Sequence, residues 1–468
     1  MIQTDMIQTD MKQTDMKQMT VNRILCFVTA ILCLSCDGLL TPEPTASISD
    51  SKSIYDEKSA GAALNGAYNQ LMSSGYYGLG FDIVPYLFAD NVKFVGIQTY
   101  YKAFVRLNGY GPTTLQSDNS SLSGTWTAIY RTVNMTNHII EKVDGVTDDN
   151  FTQDERNAIL GQACFIRALS YFDLTRFWGG VQIVTKPTAS PDDVSDIRRS
   201  SLEDTYKQIE SDLKKAEELL RPTDSRIYID LGAVQALTAR IALYREQWDK
   251  AETYSSLLIS NSKYSLVKPY SVFYTTEAST ESIFELNFTA TQTNPAGHWW
   301  RPSELGGRYE ITLNEAILEL LEDPAIGGNR ADIITVAEKS KQIYNGMYWR
   351  SGQNNPAYLF RIAEQYLIRA EARAHLDKIE ESRADINAVR SRAGVPDIET
   401  SEYDARAKAL QAIENERRLE FAVENHRFFD LRRTGRLATV LGETEGYLFP
   451  IPIDEIAKDP SLTPNPSN

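Results

Sequence analysis

Two adjacent tryptophans, Trp299 and Trp300, stand between His298 and Arg301 in a stretch that also holds Pro295, Gly297 and Pro302. An indole is a flat apolar plate that contacts another flat molecule at low entropic cost, while a neighbouring imidazole and guanidinium hydrogen-bond to a polar rim. A sugar ring presents that pairing, with one apolar face of C–H groups bounded by hydroxyls. Tyr100 and Tyr101 form a second aromatic pair, expected to be the opposing surface, with Asp90 and Asn91 as hydrogen-bonding candidates. The competing reading is that adjacent tryptophans divide into one core and one exposed residue, and that loop tyrosines plug gaps.

Bond-breaking chemistry is poorly supplied. The chain has no Gly-x-Ser-x-Gly elbow, no His-Glu-x-x-His pair, no phosphate-cradling glycine loop and no cysteine pairs at metal spacing. Its four histidines, His138, His298, His375 and His426, are a thin supply for metal chemistry, and no Asp-x-Asp-x-Asp pattern offers calcium a loop. No cofactor, metal or catalytic residue is expected. The run Glu414, Glu416, Arg417, Arg418, Glu420, Glu424, Arg427, Asp430, Arg432, Arg433 offers paired carboxylates, as a glycoside hydrolase requires. Yet Glu414 and Arg418 sit at helical i, i+4 spacing in the favourable order, and alternating signs make solvated or interhelical salt bridges. A hydrolase needs its carboxylates across a cleft at defined separation.

The N-terminus bears on the compartment. Ile24 to Leu34 is an apolar run preceded by Arg23, too short to span a bilayer, which takes about 20 residues, but suited to a secretory signal. It ends in Leu34-Ser35-Cys36, which resembles a bacterial lipobox with Cys36 as the acylated residue. The Met1 to Met19 tandem, with Asp5, Asp10 and Asp15, is wrong for a signal's basic leading region, so translation is expected to begin at Met16 or Met19. Residues 1–35 therefore read as leader and signal, 36–50 as a Pro-, Thr- and Ser-rich lipidated tether, and 51–468 as the folded domain. Cys26 and Cys33 leave with the signal and Cys36 carries lipid, so Cys164 stands alone, expected on a buried helix face. A formal net charge of −15 argues against nucleic acid as a partner.

Helical periodicity positions these groups. Ala60 to Met72, the face marked by Trp126, Tyr130, Val133 and Asn137, Phe151 to Phe177, and Ser201 to Leu220 all read as helices. Leu231 to Leu258 and Ile362 to Ala393 each carry the small-residue and aromatic spacing of a tetratricopeptide-like hairpin. The expected fold is mainly α, a tetratricopeptide-like helical-repeat scaffold of about four helix pairs. Two long irregular stretches interrupt it, at about 73–123 and 261–356. They hold most of the unassigned aromatics, including Tyr309, Tyr344 and Trp349, and long loops in a compact domain are usually functional.

Ordered blocks along the chain resemble the SusD/RagB family of outer-membrane nutrient-binding lipoproteins. They are Cys36-Asp37 with Pro42 and Pro44; Ala62 to Tyr68; Cys164 to Val181; Arg361 to Ala372 with Asn387 to Val395; and Glu416 to Phe421 leading to Arg427 to Gly435, closed by Pro450 to Ile456. Departures are Asn425, where a glycine is usual, and Pro464, where a glutamine is common. The resemblance implies a lipoprotein of the cell outer membrane, exposed at the surface, that seizes an oligosaccharide and passes it to a SusC-like, TonB-dependent transporter. Some family members resemble peptide receptors, which leaves peptide as the alternative ligand class.

Overall fold

Capping chemistry sets the helix boundaries in the computed structural model, which describes residues 54–96, 117–188, 193, 197–442, 446–459 and 461–465. Cys36, Tyr100 and Tyr101, and the proposed leader and tether, lie outside these residues. Helix α1 (Glu57–Leu71) opens on a reciprocal box in which Asp56 accepts from the Ser59 amide at 2.7 Å and Ser59 Oγ accepts from the Asp56 amide at 3.0 Å. After α2 (Gly80–Phe88) and strand β1 (Val92–Phe94), Asn119 caps α3 (Ser120–Lys142). Thr152 and Glu155 box the start of α4 (Gln153–Trp178), which stops at Gly179, where φ of +75° favours glycine. Ser201 caps α5 (Leu202–Leu219).

Helix α4 is the central post. It is buried without interruption from Ala163 to Trp178, so its apolar residues face neighbours on all sides and its polar ones need internal partners. Arg167 forks onto Asp212 of α5 at 2.8 and 2.6 Å, and Asp173 accepts the hydroxyls of Tyr76 and Tyr77 at 2.7 and 2.6 Å. Gly161 lets the end of α5 close in: a Cβ there would lie 2.6 Å from Leu220 Cγ.

The two anticipated hairpins are present. Helices α6 (Leu231–Tyr244) and α7 (Trp248–Ile259) form the first. The chain then runs through α8 (Val272–Thr275), β2 (Ser282–Leu286), α9 (Pro295–Trp300), β3 (Ile311–Leu313), α10 (Glu315–Glu322), β4 (Ile334–Val336), β5 (Ile343–Asn345) and β6 (Ala357–Arg361). The second hairpin is α11 (Ile362–His375) and α12 (Ile379–Ala393), followed by α13 (Arg406–Glu420), α14 (Arg427–Arg433), α15 (Leu437–Leu441) and α16 (Ile453–Lys458). The two hairpin turns repeat each other: Gln247 N bonds Ala242 O and Lys378 N bonds Arg373 O, both at 2.9 Å, and Glu246 and Asp377 both take positive φ. Because α11 packs on α7, residues 260–361 are an insertion between two helices that are neighbours in space. The fold is mainly α and tetratricopeptide-like.

The stretches expected to be irregular hold more structure than anticipated. The first contains α2 and β1. Among the described residues the strands make three two-stranded antiparallel sheets, β1–β3, β2–β6 and β4–β5. The β1–β3 register, Val92 with Leu313 and Phe94 with Ile311, joins the two stretches.

The insertion is fastened to the scaffold by buried charge. Glu281, Arg330 and Arg361 from the insertion meet Arg392 of α12 and Glu416 and Glu420 of α13, all at 1% exposure or less. Glu420 accepts from Arg330 at 2.8 Å, from Arg361 at 2.9 Å and from Arg392, and Glu281 accepts from Arg361 at 2.6 Å and Arg392 at 2.7 Å. Burial would raise the Glu420 carboxyl, but Arg392, Arg361 and Arg330 overcome it and hold it at about 2. Solvated or interhelical salt bridges were the expected role of this charged block; at Glu416 and Glu420 the structure shows the buried form.

Candidate ligand-binding face

Asn294 caps α9 by accepting from Ala296 N at 3.0 Å, and Pro295 pre-sets its first turn. This short helix turns both tryptophans inward. Trp300 is fully buried, edge-on to Tyr86 with ring centroids 6.1 Å apart, and Trp299 is 5% exposed with the Arg308 guanidinium 5.7 Å from its ring. His298 Nδ1 lies 3.0 Å from Gly306 O, and Arg301, also buried, gives Nη1 to Arg350 O at 3.2 Å. The segment His298 to Arg301 thus holds its own loop together. Neither indole offers an open face here, which differs from the stacking role expected of them.

Asp90 and Asn91 are likewise occupied. Asp90 pairs with Arg427 at 2.8 Å and Arg418 at 3.0 Å, and Asn91, buried, accepts from Arg418 Nε at 2.9 Å. Burial opposes ionisation of Asp90, yet Arg427 and Arg418 hold its carboxyl below the usual range. Both residues tie the entry of β1 to α13 and α14 rather than standing open to solvent.

The aromatic surface of this region belongs to Trp349, 49% exposed. Asn345 caps the turn before it by accepting from Met347 N at 3.0 Å, and the indole N–H donates to Tyr274 O at 3.2 Å. The following loop is pinned at several points: Asn355 Oδ1 accepts from Arg350 N at 3.2 Å, Asn355 Nδ2 donates to Met347 O at 2.7 Å, and Gln353 O accepts from Asn294 N at 2.7 Å. Gln353 holds φ of +54°, costly for a residue with a Cβ. The Arg350 guanidinium lies 5.7 Å from the indole, and Glu277 is 3.8 Å from Arg350. The arrangement is a fixed, half-exposed aromatic plate beside a cation, a carboxylate and loop amides. Sequence reasoning counted Trp349 among the loop aromatics but did not choose it. The available signal was its setting, Arg350-Ser351-Gly352-Gln353-Asn354-Asn355, against the helix-starting Asn294-Pro295 ahead of Trp299.

No group of three or more metal-binding side chains occurs among the described residues, and no helix among them is long and apolar enough to cross a membrane. Cys164 is buried as anticipated, and burial pushes its thiol up to about 12, the reverse of nucleophile activation.

Comparison with known proteins accounts for this architecture. A family profile described as "SusD family" matches residues 270–443, and one described as "Starch-binding associating with outer membrane" matches residues 90–243. A SusD-like protein of Formosa agariphila is 24% identical, over 95% of this chain and 98% of its own length. A crystal structure of a SusD superfamily protein from Bacteroides vulgatus superposes with a TM-score of 0.77 at 24% identity, covering 88% of this chain and 99% of that one. A structure described as a laminarin-binding SusD-like protein superposes with a TM-score of 0.70 at 21% identity, covering 89% and 100%. One profile covers the insertion with the second hairpin and the other covers α3 to α6, and the chain belongs to the SusD/RagB family.

Proposed function

We propose that this chain is a cell-surface binding protein, not an enzyme, that captures oligosaccharides and delivers them to a SusC-like, TonB-dependent outer-membrane transporter. It is held at the outer membrane by a lipid on Cys36. The observation that carries the ligand class is Trp349: a half-exposed indole, fixed by its N–H to Tyr274 O, on a face built by the long insertion of a SusD/RagB chain. A sugar stacks its apolar face on the indole while Arg350, Glu277 and the amides of the 350–355 loop meet its hydroxyls. Arg301 braces the loop through Arg350 O, with His298, Trp299 and Trp300 packed behind it, and Tyr100 and Tyr101 are the further stacking candidates that the sequence offers. The outer-membrane, starch-binding description of the matching profile and the laminarin-binding relative of the same fold support this reading.

The test is a glycan array and a peptide pool probed with the soluble form from residue 37 onward, which contains the whole compact unit Ile54–Asn468. Trp349→Ala is run alongside, with Tyr55→Ala, at an exposed aromatic outside the site, as the control. Selective binding to one glycan class, lost with Trp349→Ala and kept with Tyr55→Ala, is the expected result. Binding to peptides alone would replace the ligand class, and glycan binding indifferent to Trp349 would remove the site.

A further inference from the structure

A second cavity, of about 700 Å3, lies away from Trp349, among the α6–α7 turn, α11, α13 and α14. Its walls combine an aromatic and apolar side with arginines. Trp248 stacks parallel on His375, ring centroids 3.8 Å apart and planes 2° from parallel, and Leu410 lines the same space.

The four arginines and four carboxylates that line this cavity balance in charge but not in pairing. Glu371 accepts both terminal nitrogens of Arg433 at 2.5 and 2.8 Å. Asp430 accepts from Arg417 Nε at 2.8 Å and Arg433 Nε at 2.9 Å, and Glu414 pairs with Arg427 at 3.3 Å and Arg436 at 3.1 Å. The remaining lining carboxylate, Glu246, is exposed. Two cationic groups keep donors in hand. Arg417 is 3% exposed and its Nη1 has no hydrogen-bond partner among the described residues. Arg432 has no carboxylate partner among them, and its hydrogen bond is from Nη1 to Arg176 O at 2.5 Å. The buried Arg417 N–H without an acceptor is costly, and Arg432, half-buried in the same lining, has no carboxylate partner among the described residues; an oxygen-rich anion satisfies both.

We propose that this cavity is a second binding site, for a small carboxylate-bearing molecule whose oxygens are taken by Arg432 and Arg417 and whose body lies against Trp248 and Leu410. Planar guanidinium and planar carboxylate match in geometry, and a sugar acid or the end of a peptide carries both the carboxylate and a body of suitable size.

Calorimetric titration of the soluble form with digalacturonate and with N-acetyl-Ala-Phe, each beside its neutral ester or amide, tests this. At least one acid should bind, its neutral counterpart about tenfold or more weaker, as loss of charge-assisted hydrogen bonds implies. The acid that binds identifies the source. Arg432→Gln should cost a similar factor while leaving the melting temperature near the parent's, because Arg432 supports the fold through one carbonyl bond; Arg417→Gln, which breaks a buried pair with Asp430, is not needed. Failure of both acids to bind, or equal affinity for acid and neutral form, overturns the proposal.

Discussion

The base and the rim of the 260–361 insertion use similar residues to opposite ends. At the base, Arg330 and Arg361 are 1% exposed or less and pair with Glu281, Glu416 and Glu420. At the rim, Arg350 has Glu277 3.8 Å away, a carboxylate 88% exposed, and stands beside a half-exposed indole. Desolvated charge at the base has no water to fall back on, so every partner counts. At the rim the Glu277 carboxylate is hydrated and can exchange water for a ligand, while Arg350, 12% exposed, is held at the surface of its own loop by Asn354 O. Burial, not residue type, separates the insertion's tryptophans, with Trp300 fully buried and Trp349 49% exposed. The comparison breaks if a base residue controls binding or a rim residue controls stability.

The largest effect is expected from Glu420→Gln. It leaves Arg330, Arg361 and Arg392 short of a shared carboxylate, and breaking a buried ion network by removing one partner costs about 3–5 kcal/mol. Urea unfolding at pH 7 should show this loss, while the folded fraction keeps the ligand affinity of the parent. A variant of parental stability, or one that folds but no longer binds, would merge base and rim.

The same carboxylate sets an acid limb. Its folded-state value of about 2 lies below the roughly 4.3 of a free glutamate, so the unfolded chain takes up the proton first as pH falls. The contribution of Glu420 is therefore present above about pH 4.3 and lost between there and about pH 2. Unfolding free energy measured across that window should fall less steeply in Glu420→Gln than in the parent; parallel curves would mean that the arginines do not act through this group.

Trp349→Ala should move the opposite quantity. An aromatic anchor at a binding surface is worth over about 1 kcal/mol, so glycan affinity should fall about tenfold. Stability should change by less than about 0.5 kcal/mol, as for a surface position. A melting temperature that drops as far as for Glu420→Gln would make Trp349 another piece of the base.

Legibility in the sequence followed the same division. The hairpins at Leu231 and Ile362 were readable because alanines such as Ala239 and Ala370, buried to 0% exposure, recur at spacings that only close helix contact explains. The short strands were not readable: three to five residues, such as Ile311–Leu313, carry too few positions to display alternation, and their pairing is set by the tertiary fold. Helix α2 was missed because Pro85 and the preceding Tyr76 and Tyr77 look like loop chemistry, while the structure seats the prolyl ring inside a short, wholly packed helix. The sequence pointed to this stretch for its aromatics, but the structure buries Trp299 and Trp300 and leaves Trp349 half-exposed. Trp299 and Trp300 were selected as a pair, although Asn294-Pro295 signals a helix start that turns both inward, whereas the single Trp349 stands among glycine and amides that keep the chain at the surface.

The smallest expected effect separates two strained turns. Asp377, in the scaffold hairpin, and Gln353, in the Trp349 loop, hold φ of +60° and +54°. Glycine removes the Cβ clash at either, worth about 1 kcal/mol, offset in part by its greater unfolded-state freedom. Asp377 is exposed, and its pairing with Arg406 at 2.6 Å is between two solvated groups, which contributes little. Asp377→Gly should therefore raise stability by a few tenths of a kcal/mol and leave binding alone. Gln353→Gly gives up the 3.3 Å bond from Nε2 to Gly306 O and the restriction that holds the loop in this shape. It should gain no stability and weaken glycan binding about two- to threefold through lost preorganisation. Calorimetric titration and thermal melts on the pair decide it. If Gln353→Gly stabilises the chain and binds like the parent, the strain at the rim has no part in presenting Trp349, and the Trp349 loop is as indifferent to ligand as the scaffold turn.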